Sequence, residues 1–262
     1  MFKALSTAAT GMTAQELIVE TIANNLANMN TIGFKRSQVD FQDLMYVKLS
    51  EPGSPGAGGV AAPNGFEVGS GVRPASTLKI FTQGELENTK RELDVAIEGD
   101  GLFEVTTGNG ETRYTRDGSF RVNANGALVT SSGHTLSPSI GIPAGTRQVS
   151  IAADGTISAF VGGSNTPQPL GQITLARFVN PSGLSSEGAN LLAPTEASGT
   201  AATGTPGADG YGRLLQRFRE QSNVNMVYEL VSLITAQRAY ETNSRAIRAG
   251  DEMLSTANRL IS

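Results

Sequence analysis

Hydrophobic residues recur every three to four positions near both ends of the chain. Alternating steps of three and four from Leu5 meet an apolar residue at seven of the first eight positions, and the same steps from Leu233 meet Asn243 as the only strongly polar residue. A mean spacing of about 3.5 residues is typical of helices that pack along a narrow seam, not of strands. We therefore predict one helix that ends near residue 30 and a second over about 224–260.

The seam positions are our candidate assembly residues. They are Leu5, Met12, Val19, Ile22 and Leu26 in the first helix and Leu233, Tyr240, Ile247, Leu254 and Ile261 in the second. Other apolar residues, such as Ile18, Val231 and Ile234, lie outside the seams, so one partner helix cannot cover them all. The two helices either form a hairpin within one subunit, or they pair and also pack against other copies of the chain. Each Leu, Ile or Val buried in the second case would contribute about 1.5–3 kcal/mol.

Polar and glycine residues mark the expected helix ends. Four asparagines, which form helix poorly because their side chains compete for backbone groups, stand near the end of the first helix: Asn24, Asn25, Asn28 and Asn30. Gly33 follows them and can supply a left-handed cap. The candidate N-caps of the second helix are Ser222, Asn223 and Asn225.

The middle of the chain reads as antiparallel β structure. Between residues 66 and 180, short runs of alternating apolar and polar residues are separated by turn dipeptides. Asn125-Gly126 and Asp154-Gly155 each stand between two such runs, which predicts β-hairpins. The predicted fold class is α+β, with paired long helices from the two termini in a coiled coil and a central antiparallel all-β domain.

Glycine and proline are concentrated in this middle part. Of the 31 glycines, 28 lie between residues 51 and 212, as do all 11 prolines. Two segments, 51–65 and 193–212, are especially rich in small residues, glycine and proline. Their composition predicts flexible linkers or loops.

Composition and charge exclude several classes of protein. With a formal net charge of −4 and no basic stripe, the chain is not expected to bind nucleic acid. The absence of cysteine and the single histidine exclude a disulfide framework, a cysteine-ligated metal and any site that needs two imidazoles. No window approaches the length of an apolar membrane span, and residues 1–12 lack the apolar core of a cleaved signal peptide.

Motifs that would indicate catalysis are missing from the sequence. It contains no nucleophile elbow, phosphate-binding loop or metal-binding helix motif. His134 has no partner signature for a general base, so we expect it at the surface. An acidic run without calcium-loop spacing is interpreted as solvated strand faces: Glu92, Asp94, Glu98, Asp100 and Glu104. We expect no catalytic residue, no cofactor and no metal, and hence no enzyme.

Three blocks of sequence resemble the axial proteins of the bacterial flagellum, the family of rod and hook subunits. The blocks comprise 8–12, 24–28 and 31–36, then 81–84, 93–103 and 114–120, and finally 222–225 and 237–244. The signature residues within them are Asn24, Asn25, Leu26, Ala27, Asn28, Gly33 and Phe34 near the N-terminus and Gln237, Arg238, Ala239 and Tyr240 near the C-terminus. Within the family, the members that form the distal rod are the most similar.

The resemblance implies a division of the chain into three regions. These are 1–35 with 222–262 as an inner coiled-coil domain, 36–80 with 190–221 as an extended connection, and 81–189 as an outer β domain. Distal rod members also carry an extra stretch that is implicated in keeping the rod straight, and residues 46–71 occupy its position here.

The resemblance further implies a structural subunit that polymerises into a hollow helical shaft, transmits torque to the hook and conducts exported flagellar proteins. The implied partners are further copies of the chain, proximal rod proteins, the hook, hook-cap or junction proteins, the bushing formed by the P- and L-rings, and the type III export apparatus. The implied location is the basal body, where the rod crosses the periplasm to the outer membrane. Phe41 and Met45 fit the export pattern of a Phe followed four positions later by an apolar residue, for which local packing is the alternative explanation.

Two other functions stay open from the sequence. The first is a hook or proximal rod protein of the same family. The second is a secreted carbohydrate-binding or wall-hydrolysing β protein, which the acidic strand faces suggest and which peptidoglycan hydrolysis by the purified protein would favour.

Overall fold

The computed structural model describes residues 2–51, 65–162 and 166–261, with a long helix near each terminus and short strands between them. Helix α1 spans Phe2–Ala27 and helix α2 spans Met226–Ile261, which confirms the two predicted helices. The chain divides into two compact units. The first unit comprises Met1–Leu26, Ser37–Leu78 and Met226–Ser262, and the second comprises Ala27–Arg36 and Lys79–Asn225.

Four strands accompany the helices of the first unit. They are β1 (Ser37–Asp43), β2 (Val47–Ser50), β3 (Phe66–Val68) and β4 (Val72–Lys79). Strand β1 pairs with β4, and β2 pairs antiparallel with β3, with Val47 opposite Val68. Most of the predicted linker 51–65 lies outside the described residues, which resume at Gly65.

Helices α1 and α2 run antiparallel within the first unit. A Cβ atom placed on Gly250 would lie 2.7 Å from Cδ2 of Leu5, and one placed on Gly11 would lie 2.9 Å from Nδ2 of Asn243. The residue number of the contact in α2 decreases, from 250 to 243, as the residue number in α1 increases from 5 to 11. The two helices therefore run in opposite directions. The two glycines therefore mark places where the helices approach too closely for a side chain to fit without movement.

Asn25 ties the end of α1 to the start of β1. Its Oδ1 accepts a hydrogen bond from Ser37 N and its Nδ2 donates one to Ser37 O, both at 2.9 Å. The same Nδ2 lies 3.5 Å from Oε2 of Glu229 in α2, and both residues are 1% exposed. Asparagine was predicted to stop this helix by binding backbone groups, and Asn25 binds those of a residue twelve positions ahead.

The second unit is built from short antiparallel strands. Its strands are β5 (Leu86–Asn88), β6 (Val95–Glu98), β7 (Leu102–Thr106), β8 (Thr112–Thr115), β9 (Arg121–Val122), β10 (Leu128–Val129), β11 (Thr135–Leu136), β12 (Thr146–Ile151), β13 (Thr156–Val161), β14 (Gln168–Gln172), β15 (Leu175–Arg177), β16 (Ser185–Gly188), β17 (Leu191–Ala193), β18 (Ala202–Gly204), β19 (Arg213–Gln216) and β20 (Phe218–Glu220). The largest sheet has the order β16-β17-β8-β7-β11-β10-β9, and β15 joins β7 to β18. Strands β12-β13-β14 form a second sheet, while β6 pairs with β19 and β5 with β20.

Both predicted hairpins are confirmed in this unit. Strand β9 pairs with β10 and β12 pairs with β13, each antiparallel. Gly126 and Gly155 adopt φ values of +82° and +84° in the two turns. These are left-handed conformations that glycine adopts without the steric cost of a Cβ atom.

A hydrophobic core fills the interior of the second unit. Phe103 and Phe120 meet edge to face at its centre, with their ring centroids 5.1 Å apart. The aliphatic residues around them are almost fully buried: Val95, Ile97, Val105, Leu128, Leu136, Ile157, Ile173, Leu175 and Leu214. A smaller cluster forms around Tyr114 and Phe178. Burial of this apolar surface is the main driving force for the fold of the unit.

The prediction that residues 193–212 form a flexible linker or loop holds only in part: most of these residues are loop, but specific contacts hold them in place. Strand β18 pairs with β15, with Thr203 opposite Ala176, and Tyr211 Oη donates a hydrogen bond to Ala202 O at 3.1 Å. Small residues are needed here for close packing, since a Cβ atom on Gly204 would lie 2.4 Å from the Tyr211 ring. Strands β19 and β20 also pair inside the second unit, so the strands between 190 and 221 belong to it.

Of the residues predicted as helix caps, Asn225 directly precedes Met226, the first residue of α2, whereas Gly33, Ser222 and Asn223 have other positions. Gly33 has a φ of +68°, but it follows α1 by six residues, and its N–H donates to Glu220 O at 2.9 Å. Ser222 Oγ accepts from Val224 N at 3.3 Å, ahead of the first residue of α2. Asn223 binds backbone groups of Arg36 and Ile80. A polar residue that precedes a helix can therefore bind the backbone of a neighbouring segment, as Asn223 does, and need not cap the helix.

Candidate assembly face and buried ionic cluster

The N-terminal part of α2 exposes several large apolar side chains. Val227, Tyr228, Val231 and Ile234 are 69%, 73%, 59% and 49% exposed, and Leu230 beside them is 39% exposed. We call these five residues the α2 face. An apolar patch of this kind on a protein surface marks a site of association.

The opposite side of the same helix segment is buried. Glu229 is 1% exposed and Ala236 is 3% exposed, and both lie roughly half a turn around the helix from Val231. The α2 face therefore points away from the side of α2 that is covered within its own chain. Val231 and Ile234, which the sequence places outside the seam, are indeed left exposed by the single chain.

A groove of about 500 Å³ lies beside the α2 face. Gln15 and Ile18 of α1 line one part of it, and Val231, Thr235 and Ala236 of α2 line another. Both helices therefore contribute apolar side chains to the wall of this groove. The groove lies wholly within the first unit.

Most predicted seam positions lie on covered sides of the helices. Ile22 is 5% exposed, and the half-buried members are Leu5, Met12, Val19, Leu26, Leu233, Ile247 and Leu254. Tyr240 differs, at 44% exposed, and the side chain of Ile261 lies outside the described part. A search for apolar residues does not identify Gly11, because this glycine contributes to the helix pair by leaving room for Asn243.

The C-terminal signature residues lie on the more exposed part of α2. Gln237, Arg238 and Tyr240 are exposed, and Ala239 is half-buried. The N-terminal signature residues take up a different environment, where Phe34 lies 4.9 Å beneath the ammonium group of Lys79 in a cation–π contact.

Strands β2 and β3 form an exposed hairpin at the position of the predicted rod-specific stretch, 46–71. Two of its apolar side chains point to solvent in the single chain: Leu49 is 63% exposed and Phe66 60%. Strand β4, which follows the hairpin, is bonded to α1, where Thr10 Oγ1 accepts a hydrogen bond from Val72 N at 3.3 Å. Met45, a predicted export residue that precedes the hairpin, is 87% exposed. The other predicted export residue, Phe41, is half-buried in β1.

A cluster of three charged residues lies inside the second unit. Glu220 is 1% exposed, Lys35 is 4% exposed and Arg116 is 7% exposed. Lys35 Nζ lies 2.5 Å from Oε1 of Glu220, and Arg116 Nε lies 2.5 Å from Oε2. Gly84 N also donates to Oε1 at 2.8 Å. We call Lys35, Arg116 and Glu220 the ionic cluster.

Backbone carbonyls accept further hydrogen bonds from the two cations. Arg116 Nη2 donates to Ile97 O at 3.0 Å and to Gly99 O at 2.7 Å, and Nη1 donates to Gly101 O. Lys35 Nζ donates to Thr82 O at 2.7 Å. Buried charges need such hydrogen bonds because each has lost its water shell.

Burial and neighbouring charges act in opposite directions on Glu220. Burial alone would raise the pKa of its carboxyl group, but the charges of Arg116 and Lys35 outweigh that effect and hold the pKa below its ordinary value. Burial lowers the pKa of Lys35, and the attraction of Glu220 opposes this only in part. Glu220 is therefore an ionised carboxylate at neutral pH.

Two of the three residues of the ionic cluster come from the sequence blocks that carry the family resemblance. Lys35 comes from 31–36 and Arg116 from 114–120, while the acceptor Thr82 comes from 81–84. Glycine is required close by, since a Cβ atom on Gly84 would lie 2.0 Å from Gln221 O. The sequence predicted none of these residues as a site, and Glu220 lies outside every block, because a strand pattern does not distinguish a buried carboxylate from an exposed one.

The residues considered for catalysis have structural partners. His134 is half-buried in a turn, where its N–H donates to Thr130 Oγ1 at 3.2 Å. Glu98 pairs with Arg213 at 2.5 Å, and Glu104 Oε1 accepts a hydrogen bond from Ser137 at 3.1 Å.

The prediction of solvated strand faces is wrong for one member of the acidic run. Asp94 is 1% exposed, because it bridges to Ser119 within the antiparallel structure. Within the described residues, no group of three or more acidic or histidine side chains is placed to hold a metal ion. Neither described helix is long and apolar enough to cross a membrane.

Comparison with known proteins gives a consistent result along the chain. Residues 5–35 match the family described as flagella basal body rod protein, 96–159 match the flagellar hook protein FlgE/F/G D1 domain, and 215–260 match the flagellar basal body rod FlgEFG protein C-terminal region. These three matched regions lie in the same order as the three blocks of resemblance.

Similar proteins match over almost their whole lengths. The chain is 47% identical over 262 residues to the flagellar basal-body rod protein FlgG of Borreliella burgdorferi, with 99% of each chain covered. It is 47% identical to FlgG of Buchnera aphidicola, covering 99% of this chain and 100% of the relative. FlgG of Caulobacter vibrioides is 45% identical, with 98% and 99% covered.

Proposed function

The chain belongs to the FlgG family of flagellar basal-body rod proteins, and from this membership we propose how it assembles and what the assembly does. It is a structural subunit of the distal rod, and it is not an enzyme. Copies of the chain would polymerise into a hollow helical shaft that transmits torque to the hook and conducts exported flagellar proteins.

The α2 face is the observation that carries this proposal. Val227, Val231 and Ile234 remain more than 45% exposed after the chain has folded. Burying each such side chain contributes about 1.5–3 kcal/mol, so a few of them supply substantial association energy per neighbour. Neighbouring copies in the shaft would cover this face.

The two helices would form a coiled coil that makes up the inner layer of the shaft. The close contacts at Gly11 and Gly250 and the antiparallel direction support this pairing. The candidate assembly residues, among them Leu26 and Leu254, would stabilise the pair from both sides. Rotation of the shaft would then shear many buried contacts together, which makes the layer resistant to twisting.

The stretch 46–71 would give the subunit its rod character. Leu49 and Phe66 are exposed on the β2–β3 hairpin, and β4, which follows it, is bonded to α1 through Thr10. A hairpin with exposed apolar side chains is suited to packing on a neighbouring copy. Deletion of residues 47–65 should alter rod geometry, whereas straight rods with normal motility would contradict this role.

The remaining partners follow from the position of a distal rod in the basal body. They would be the proximal rod proteins, the hook with its cap or junction proteins, the P- and L-ring bushing and the type III export apparatus. The rod would cross the periplasm to the outer membrane, and its subunits would be exported without a cleaved signal. Phe41 and Met45 would be recognised by the export apparatus before the chain folds.

Full-length identity to FlgG proteins favours the distal rod over the hook or the proximal rod. The wall-hydrolysing alternative rested on free acidic strand faces. Glu98 and Glu104 are instead engaged by Arg213 and Ser137, so the structure offers no observation in favour of that function.

Val231→Asp tests the proposed assembly in a strain that lacks its own distal rod gene. A charge in the α2 face should prevent the distal rod from forming, so isolated basal bodies would end at the proximal rod. Val179→Asp is the matched control, because Val179 is 95% exposed and lies in the second unit. Distal rods of normal length with Val231→Asp would refute the proposed use of the α2 face.

A further inference from the structure

Asn223 lies where the chain is about to leave the second unit. The polypeptide crosses between the two units four times, after Leu26, Arg36, Leu78 and Asn225. Arg36, Ile80 and Asn223 are close in sequence to the last three of these crossings. Three separate linkers would each be free to move if nothing joined them.

The side-chain amide of Asn223 joins all three segments. Its Oδ1 accepts a hydrogen bond from Arg36 N at 2.7 Å. Its Nδ2 donates to Ile80 O at 2.8 Å and lies 2.9 Å from Thr82 Oγ1. Ile80 N in turn donates to Arg36 O at 2.9 Å, so the segments are also bonded directly to each other.

The ionic cluster joins the same three segments a second time, through Lys35, Thr82 and Glu220. Lys35 precedes Arg36, and its Nζ binds both Thr82 O at 2.7 Å and Glu220 Oε1 at 2.5 Å. Glu220 precedes Asn223 on the same departing segment and also accepts from Gly84 N. The three segments are therefore joined twice, by a neutral amide and by a buried ion pair.

These contacts differ from those of an ordinary helix cap. An N-cap side chain binds a backbone N–H two or three residues ahead in its own helix. The amide of Asn223 binds residues that are more than 140 positions away in sequence. Its geometry fits a connector of strands, for which asparagine is suited because one amide both donates and accepts.

We propose that Asn223, supported by Glu220, is a positioning residue that fixes the spacing of the three departing segments, so that they act as one stiff neck of the second unit. The mechanical part rests on the proposed function, since only a subunit in a torque-bearing shaft needs such stiffness. Hydrogen bonds between neighbouring segments must break together when the neck is sheared. Linkers that are not bonded to each other would each deform separately under the same load.

Hydrogen exchange on the purified full-length chain tests the joining of the segments without any assembly. In Asn223→Ala, the amide of Arg36 loses its acceptor, and exchange at Arg36 and Ile80 should accelerate about tenfold or more. The amide of Val105 in the core should be unaffected. Asn180→Ala is the matched control, because the Asn180 amide donates to Ala197 O at 3.1 Å on an exposed part of the same unit. Unchanged exchange at Arg36 and Ile80 would overturn the proposal.

Asn223→Asp separates the two ends of the amide. The carboxylate keeps the acceptor for Arg36 N and loses the donations to Ile80 O, Thr82 O and Thr82 Oγ1. Arg36 should then stay protected while the neighbouring segment 79–82 exchanges faster. Equal acceleration of Arg36 in the Ala and Asp variants would contradict the role assigned to this amide.

Motor torque measured on beads attached to the flagella tests the mechanical part. With Asn223→Ala, rods should assemble in normal numbers, and torque at high load should be lost relative to wild type and to Asn180→Ala. Faster exchange combined with normal torque would overturn the stiff neck while leaving the rod function intact. Failure of the wild-type chain to restore rods in the deletion strain would instead count against the proposed function.

Discussion

Lys35 Nζ and Glu220 Oε1 lie 2.5 Å apart, although 185 residues separate them along the chain. Lys35 is on the short segment between α1 and β1, and Glu220 ends β20. The contact makes residues 27–36 part of the second unit, although they directly follow the helix of the first. Residues 27–36, which in the sequence follow the first helix, are thus packed in the second unit.

Lys35→Met should destabilise the second unit strongly. The substitution leaves Glu220 buried with one of its two cations missing, and breaking a buried pair in this way typically costs about 3–5 kcal/mol. Denaturant unfolding followed by aromatic fluorescence measures the change in the free energy of unfolding. Arg213→Met is the matched control, since Arg213 and Glu98 form an exposed pair at 2.5 Å, and water screens such a pair so that its loss should change the free energy of unfolding far less. Equal costs for the two variants would show that the ionic cluster is not a major source of stability.

Glu220 should also make stability depend on acidity. Because its pKa is lower in the folded protein than the ordinary value of 4.5, its ionisation stabilises the fold fully above that value, and this stabilisation is lost as the pH falls through the folded pKa. Lys35 does not contribute to the pH dependence in the acidic range. Its pKa is lowered from the ordinary value of 10.5, so its effect on stability falls in the alkaline range. The difference in unfolding free energy between wild type and Glu220→Gln should therefore shrink as the pH falls below about 4.5. A difference that stays constant across the acidic range would contradict the assigned pKa direction.

The helices and hairpins were predictable because their signals are local. The period of 3.5 residues identified α1 and α2, and Asn125-Gly126 identified the turn between β9 and β10. The ionic cluster was not predictable in this way. Lys35, Arg116 and Glu220 come together only through the sheet topology, and no spacing along the chain encodes their contact.

Limited proteolysis should define the second unit by its contacts. We expect residues 27–225 to form the smallest stable fragment, because 27–36 is bonded to β20 and to the segment around Ile80. If the protease also cuts within 37–78, the peptide that contains Lys35 should stay bound and co-purify. Release of that peptide under native conditions, with the rest of the unit still folded, would refute its place in the unit.

Gly11→Leu should interfere with assembly through the helix pair. A leucine at this position would overlap the side chain of Asn243, since even a Cβ atom would lie 2.9 Å from its Nδ2, and overpacking of this kind typically costs about 1–3 kcal/mol. We expect fewer completed rods in the deletion strain and partial recovery when Asn243→Ala is added. Gly108→Leu is the control, because a Cβ atom there meets no atom within 4 Å. Recovery with Asn243→Ala is the specific result, and its absence would argue against direct contact.

The limits of sequence reasoning are also visible in segment 193–212. Glycine, alanine and threonine suggested a flexible connection, yet Gly204 is small because the Tyr211 ring lies against it. Composition shows that the residues are small, but it does not distinguish small residues of a flexible segment from small residues that close packing requires. In the helices, the apolar pattern likewise did not identify Gly11, whereas two of the positions it selected are Ile22, which is buried, and Leu254, which is half-buried.

The central claim is that neighbouring copies cover the α2 face. Electron cryo-microscopy of isolated distal rods tests it most directly, because it shows what lies against Val227, Val231 and Ile234 in the assembly. The account predicts that helices of adjacent copies pack on these residues and bury most of their presently exposed surface. A rod in which these side chains remain open to the lumen or to solvent would contradict it.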